Sequence, residues 1–195
     1  EELIMIAKVF RLTSHAIAYL RTLFSDGPNY LIFFITGRCN LHCSFCFYLE
    51  EIESADKERE LTVEEISKIA KRSPTLYHIT FTGGETFLRD DLDEIVKLFY
   101  RFSNTRSVTI TTNGTYPGRV GKMVEEIAKS CPNLLVRVPL SMDGFEGGHD
   151  QVRGMPGIWK KALQTYELLR VVADRYSNVK IDVTSVLQQS NLDNI

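Results

Sequence analysis

The sequence lacks three features that would each define a class of protein. It has no cluster of Lys and Arg along the sequence, and its 23 basic and 25 acidic residues leave a formal net charge of -2. Both observations argue against a nucleic-acid partner. It has no apolar run of the roughly 18 to 20 residues that cross a bilayer. Its first residues lack the basic start, apolar stretch and cleavage site of a signal peptide. We therefore expect a cytoplasmic globular protein without membrane association.

Cysteine is scarce and unevenly placed. Of four cysteines, Cys39, Cys43 and Cys46 stand within eight residues and Cys131 stands far away. This is not the pattern of a disulfide framework, and in a reducing compartment such a cluster is more often metal-binding or catalytic. A hydrophobic content of 44% provides for a core and one domain. Because the chain starts at Glu1 and stops at Ile195 just after a new element begins, we expect it to be a fragment.

Beyond residue 29 the sequence alternates between short apolar or β-branched runs and amphipathic helical patterns, which predicts βα units and a parallel sheet. The predicted strands are 30–35, 77–81, 108–112, 134–140 and 179–187. Before them, residues 3–24 have apolar residues at mostly helical spacing. Five strands are fewer than the eight of a closed barrel, so the predicted fold is α/β, an open or partial (β/α) barrel truncated after about five strands.

Helix starts are marked by capping residues. Thr62 stands three positions before Glu65, and Asp91 three before Glu94, which is the spacing of a capping box. Apolar stripes predict core-facing helices over 63–70, 92–99, 120–127 and 158–173. The charge-rich run 50–60 is predicted to be a solvated loop.

The loops after the strands carry the unusual residues, and in sheets of this type ligands bind at the carboxyl ends of the strands. The segments of interest are 38–46, with the three clustered cysteines, 82–85 (Thr-Gly-Gly-Glu), 112–114 (Thr-Asn-Gly) and 141–144 (Ser-Met-Asp-Gly).

Three thiolates on one short loop can hold an iron–sulfur cluster. A four-iron cluster would then keep one iron without a protein ligand, and an open position is typical of a catalytic metal and not of a structural one. The alternative is a zinc site with a fourth ligand from His42 or Cys131.

The spacing of Cys39, Cys43 and Cys46, with Phe45 just before the last cysteine, resembles the radical S-adenosylmethionine (radical SAM) superfamily. Gly83-Gly84-Glu85 at the end of the second strand is similar to the family motif that binds the methionyl amino group, with Thr86 where members usually have Pro. Ser141 to Gly144, followed by His149-Asp150 and Arg153-Gly154, is similar to the branch of sulfatase-maturating enzymes, SPASM-domain peptide-maturing enzymes and molybdenum cofactor biosynthesis protein A.

The resemblance implies roles for single residues and two regions of the chain. Ser141 would contact the ribose and Arg153 the methionyl carboxylate of S-adenosylmethionine, with Asn113 and Asp143 lining the same cavity. Residues 1–29 would be a helical extension and 30–195 a radical SAM core whose C-terminal part is missing. For the other residues of interest we expect structural roles. We expect His149 and Asp150 to make loop hydrogen bonds, Cys131 to be a buried apolar residue and Trp159 to anchor the last helix against the sheet.

The implied function is reductive cleavage of S-adenosylmethionine at a [4Fe-4S] cluster, giving methionine and a 5′-deoxyadenosyl radical that abstracts hydrogen from a substrate. An electron donor such as flavodoxin or ferredoxin would be a partner. Modification of a peptide or protein and transformation of a small molecule or lipid precursor are both open. A non-catalytic metal-binding or electron-transfer module is the alternative from a different class.

Overall fold

The computed structural model describes residues 2–189 and 191–194. Its seven helices are α1 Glu2–Leu23, α2 Leu49–Glu53, α3 Val63–Arg72, α4 Leu92–Phe102, α5 Pro117–Ser130, α6 Glu146–Arg153 and α7 Ile158–Arg175. The five strands are β1 Tyr30–Thr36, β2 His78–Gly83, β3 Ser107–Ile110, β4 Leu135–Ser141 and β5 Val179–Thr184. Short 3₁₀ turns cover Lys57–Arg59, Thr86–Leu88 and Leu192–Asn194.

The strands form one parallel sheet in the order β1-β2-β3-β4-β5. Ile79, Phe81, Val108 and Ile110 from neighbouring strands are completely buried against the helices, as expected for a sheet whose crossover helices cover one face. The prediction of an α/β fold with an open, partial barrel is confirmed. Since all strands are parallel, the loops that follow them lie at the same edge.

The strand predictions are confirmed with small shifts at their ends, but β5 ends at Thr184 and not at residue 187. The capping box of Thr62 and Glu65 is present at the start of α3. At α4 the prediction is wrong, because the Asp91 side chain makes no capping hydrogen bond. Arg89 instead donates from Nε and Nη2 to the two Asp91 carboxylate oxygens at 2.8 and 2.7 Å.

Two elements were missed. The run 50–60 contains α2 and a 3₁₀ turn, so the prediction of a solvated loop is wrong there. Helix α6 follows β4 although its sequence includes Gly147 and Gly148. Glycine lowers helix propensity, and the segment has no apolar stripe. For these two reasons the sequence did not predict this helix.

Helix α1 lies across the amino ends of the strands. His15 Nδ1 is 3.1 Å from Tyr77 Oη, and Arg106 donates to Ser14 Oγ at 2.7 Å. Arg11 donates to Ser177 Oγ, just before β5, at 3.3 Å. None of the helices in the described part of the chain is both long and apolar enough to cross a membrane.

Candidate functional site

A cavity of about 390 Å³ lies at the carboxyl ends of the strands. It brings together most of the residues selected from the sequence. Its lining includes Cys39, Cys43, Phe45, Cys46, Gly83, Gly84, Glu85, Asn113, Ser141 and Arg153. Of the predicted cofactor residues, only Asp143 is outside this lining.

The cysteine loop is held by a small apolar cluster of its own. Leu41 is 1% exposed and packs with Cys43 and with Ile158 at the start of α7. Ser44 N donates to Val152 O in α6 at 3.2 Å. Burial of Leu41 thus anchors the loop whose three cysteines line the cavity.

Two side chains donate to the sulfurs of this loop. Arg153 Nη1 lies 3.8 Å from Cys43 Sγ, and Asn113 Nδ2 lies 3.9 Å from Cys39 Sγ. Burial raises the pKa of the Cys39 and Cys43 thiols, while the Arg153 charge opposes this at Cys43. Donors of this kind favour the thiolate form, which is the form that binds metal.

Gly83 and Gly84 allow two loops to approach each other closely. A Cβ on Gly83 would lie 2.2 Å from Thr36 O, and one on Gly84 would lie 2.1 Å from Arg38 O. Gly83 also has a φ of +121°, which favours glycine. These glycines therefore lock the loop after β2 against the backbone that leads into Cys39. This contact is between two backbones.

The Glu85 carboxylate is 2% exposed and accepts three hydrogen bonds. Its donors are Asn113 N at 2.7 Å, Thr112 Oγ1 at 2.9 Å and Phe87 N at 3.2 Å. Burial raises the pKa of Glu85 to about 7, against the effect of these donors. The carboxylate thus joins the loop after β2 to the loop after β3.

Asp143 and Arg153 form a buried ion pair. Arg153 Nε donates to Asp143 Oδ2 at 2.6 Å, and the other oxygen, Oδ1, accepts from Val186 N at 2.7 Å. The Arg153 guanidinium also lies over the Phe45 ring, 5.4 Å from its centroid. Asp143 therefore stands behind Arg153 and positions it, and does not line the cavity as the sequence suggested.

His149 and Asp150 hold the backbone around the Asp143–Arg153 pair in place. His149 Nδ1 accepts from Asp143 N at 3.1 Å, and burial lowers the pKa of His149. Asp150 Oδ1 accepts from Trp159 N at 2.8 Å. Trp159 packs its ring against Phe145 and His149, so the contacts of this side chain are with α6 and the loop before it.

Several residues near the cavity were missed. Asn40 Oδ1 accepts from Asn113 Nδ2 at 3.0 Å, and Asn40 Nδ2 donates to Thr115 Oγ1 at 3.0 Å. Thr112 contacts Glu85, and Val186 lines the cavity. Asn40 stands between two of the clustered cysteines, and this position was the available signal. Val186 carries no polar group that could have drawn attention to it.

The three thiols fit an extended metal group better than a single ion. Among residues 2–189 and 191–194, no group of His, Cys, Asp and Glu is close enough for one metal ion, although three free thiols line one cavity. Cys131 is buried in the main core at the end of α5 and His42 is exposed, so neither candidate joins these thiols as a fourth zinc ligand. The geometry gives the zinc alternative no support.

Comparison with protein families decides the classification. The Radical SAM superfamily model matches residues 33–181, a range that includes the cysteine loop and the Gly-Gly-Glu turn. The chain belongs to the radical SAM superfamily.

Curated relatives of this radical SAM chain are named for cyclisation of GTP or for molybdenum cofactor biosynthesis. The GTP 3′,8-cyclase of Alkaliphilus oremlandii is 32% identical over 128 residues, which are 65% of this chain and 38% of that protein. Molybdenum cofactor biosynthesis protein 1 of Homo sapiens is 31% identical over 119 residues, 60% of this chain and 19% of that protein. The chain therefore spans well under half the length of these relatives.

Solved structures show the same fold. A structure of hexahistidine-tagged anSMEcpe with bound AdoMet matches with a TM-score of 0.60 and 22% identity, covering 82% of this chain and 42% of the other. Native anSMEcpe with bound AdoMet and the Cp18Cys peptide matches with a TM-score of 0.55 and 21% identity, covering 82% and 43%. At this identity the likeness concerns the fold alone.

Proposed function

We propose that this chain is the catalytic core of a radical SAM enzyme, with Cys39, Cys43 and Cys46 as the ligands of a [4Fe-4S] cluster. One observation carries the proposal: three free thiols and the Gly-Gly-Glu turn line a single cavity in a chain of this superfamily. The cluster and S-adenosylmethionine supply reductive cleavage and a 5′-deoxyadenosyl radical when bound. The protein supplies ligands, orientation and a cavity that limits access of water.

The charged groups around the cavity suit a ligand that carries a carboxylate. Arg153 places a cation at one side and is held there by Asp143 at 2.6 Å. Glu85 places a buried carboxylate on the other side, but its two oxygens are already bonded to Asn113, Thr112 and Phe87. We infer that Arg153 attracts a carboxylate directly, since arginine pairs well with that group. Glu85 acts by holding the backbone of its own turn and of Asn113 in place.

Ser141 and Asn113 stay candidates for polar contacts with the same ligand. Ser141 lines the cavity at the end of β4. Asn113 is held at its amide oxygen by Thr115, whose backbone N donates at 3.0 Å, and at its amide nitrogen by Asn40. These bonds order its side chain before a ligand arrives, which reduces the entropic cost of binding.

The substrate alternatives now differ in support. Relatives by sequence are named for a reaction of GTP, a small molecule, whereas the peptide-bound structure is similar in fold alone. Transformation of a small molecule therefore has more support than peptide modification. An electron donor such as flavodoxin or ferredoxin is the proposed partner.

Anaerobic reconstitution with iron and sulfide tests the proposal. Electron paramagnetic resonance of the reduced protein should show a four-iron cluster whose signal changes when S-adenosylmethionine is added, because only an iron without a protein ligand is open to it. Cys131→Ala is the matched control and should behave like the wild type. A cluster whose signal ignores S-adenosylmethionine would favour an electron-transfer module instead.

A further inference from the structure

Helix α1 presents its apolar side to solvent and its polar side to the protein. The side chains that contact the sheet end are small or polar and include Arg11, Ser14, His15, Ala18 and Thr22. Its large apolar residues are about half exposed or more: Val9, Phe10, Leu12, Ile17, Tyr19, Leu20 and Leu23. An exposed contiguous apolar surface on a globular protein marks an interaction site.

The exposed residues form one continuous surface. At 100° per residue they fall within one half of the helix circumference, a half that also includes Glu2 at the start of the helix and, between the exposed apolar residues, the polar Thr13. Its hydroxyl donates to Val9 O at 3.2 Å and Phe10 O at 2.9 Å, so it needs no water. The 22-residue helix is about 33 Å long, so this surface is a long ridge, and a cavity of about 280 Å³ lies along one side of it between Phe10, Ile17 and Arg106.

Basic residues lie at the same end of the sheet as this ridge. Arg21 is exposed on α1 itself. Each core helix ends at the edge of the sheet where α1 lies, because the next parallel strand begins there. The last turns of these helices contribute Lys71, Arg72, Arg101, Lys129 and Arg175. Of these, Arg175 is paired with Glu125. This end of the protein thus carries several cations, although the formal net charge of the whole chain is -2.

We propose that α1 is an interfacial helix that docks the protein on an anionic membrane surface. A helix with an apolar ridge between basic residues lies in the plane of the interface, with the ridge among the acyl chains and the cations at the headgroups. Acyl chains are complementary to the exposed apolar side chains of α1, and anionic headgroups are complementary to the basic residues at the same end of the sheet. The proposal is independent of the proposed function.

The orientation has a consequence for the substrate. The cavity lies at the carboxyl ends of the strands and α1 at their amino ends, so about 20 Å of strand separates them. Docking through α1 would hold the cavity facing away from the bilayer. The helix therefore locates the enzyme and does not deliver a lipid to the cysteine loop.

Vesicle flotation tests the proposal. We expect the protein to float with vesicles of phosphatidylcholine and phosphatidylglycerol, to float poorly with phosphatidylcholine alone, and to dissociate as salt is raised, since surface electrostatics is screened. The double variant Phe10→Ser/Leu20→Ser should reduce partitioning by more than about tenfold, because two large apolar side chains no longer insert. Leu163→Ser on α7 removes an exposed apolar residue elsewhere and should float like the wild type.

Circular dichroism keeps the result interpretable by showing that each variant is folded. No flotation of the folded wild type with anionic vesicles would overturn the proposal, as would equal flotation of the double variant. A wild type that is dimeric in solution and becomes monomeric in the double variant would also overturn it, because a second copy of the chain would then cover the ridge.

Discussion

Arg153 and Asp143 are joined by a hydrogen bond of 2.6 Å in which both side chains are buried, with 9% and 0% of their surfaces exposed. The pair connects three segments, because Asp143 also accepts from Val186 N after β5 and Arg153 reaches Cys43 in the cysteine loop. The orientation of Arg153, the one cation among the described residues that line the cavity, therefore depends on Asp143.

Replacing Asp143 by Asn should destabilise the protein strongly. Removal of one partner of a buried ion pair leaves the other charge uncompensated and costs about 3 to 5 kcal/mol. Asp90→Asn is the control, since Asp90 pairs with Arg119 while 67% of its side chain is exposed, and exposed pairs contribute little. Urea unfolding of the three proteins measures the difference. Equal stability of the two variants would contradict a special role for Asp143.

The cysteines should divide into two groups. Cys39→Ala, Cys43→Ala and Cys46→Ala should each abolish the bound four-iron cluster, because all three thiols line one cavity. Cys131→Ala should keep it, since Cys131 is buried in the main core at the other end of α5. Iron and sulfide analysis after reconstitution gives the result. Loss of iron in the Cys131 variant would remove the three-cysteine assignment.

The two glycine contacts predict a sharp contrast between substitutions to alanine. Gly84→Ala should prevent cluster assembly or folding, because the new Cβ would lie 2.1 Å from Arg38 O, a backbone atom that cannot move away cheaply. Gly118→Ala is in helix α5, where nothing lies within 4 Å of the new Cβ. It should raise stability by roughly 0.5 to 1 kcal/mol. Thermal unfolding and iron content distinguish the two, and normal iron in the Gly84 variant would refute the close packing.

Sequence patterns were sufficient for a parallel sheet and for most of the residues that line the cavity. The parallel direction and the position of the loops follow from the alternation of elements, the cysteines stand out by spacing, and the Gly-Gly-Glu turn stands out by its resemblance to a family motif. What could not be predicted was which group each polar side chain faces. Asp91 prefers the guanidinium of Arg89 to the end of its own helix, and nothing local indicates this.

The orientation of helix α1 was also beyond the sequence. Its apolar spacing predicts a helix with one apolar face, and packing against the core is the usual fate of such a face. His15, Ser14 and Arg11 instead find partners at the amino ends of the strands, so the polar side turns inward. Those partners come from loops far along the chain.

Glu85 should matter for cofactor affinity and not for cluster assembly. In Glu85→Gln one amide NH₂ would face a donor such as Asn113 N, which now lies 2.7 Å from the carboxylate. A buried donor left without an acceptor costs about 1 to 3 kcal/mol, so the loop after β3 should loosen and S-adenosylmethionine affinity should fall by about tenfold. Titration of the reconstituted variant tests this, with iron content as the control. Unchanged affinity would separate Glu85 from the site.

The same variant should change how stability depends on pH. Burial raises the pKa of Glu85 from an ordinary 4.5 to about 7 in the folded protein, so between these values the folded state binds more protons than the unfolded one. Its contribution to stability is fully present below 4.5 and is lost as pH rises through about 7. Glutamine does not titrate, so from pH 5 to pH 8 the wild type should lose stability relative to Glu85→Gln. Urea unfolding of both proteins without bound cofactors, across this range, measures the difference directly.

Glu65 is the contrast, since hydrogen bonds from Thr62 lower its pKa, and the contribution of Glu65 to stability therefore changes with pH in the opposite direction. Parallel curves for wild type and Glu85→Gln would mean that the buried carboxylate keeps an ordinary pKa.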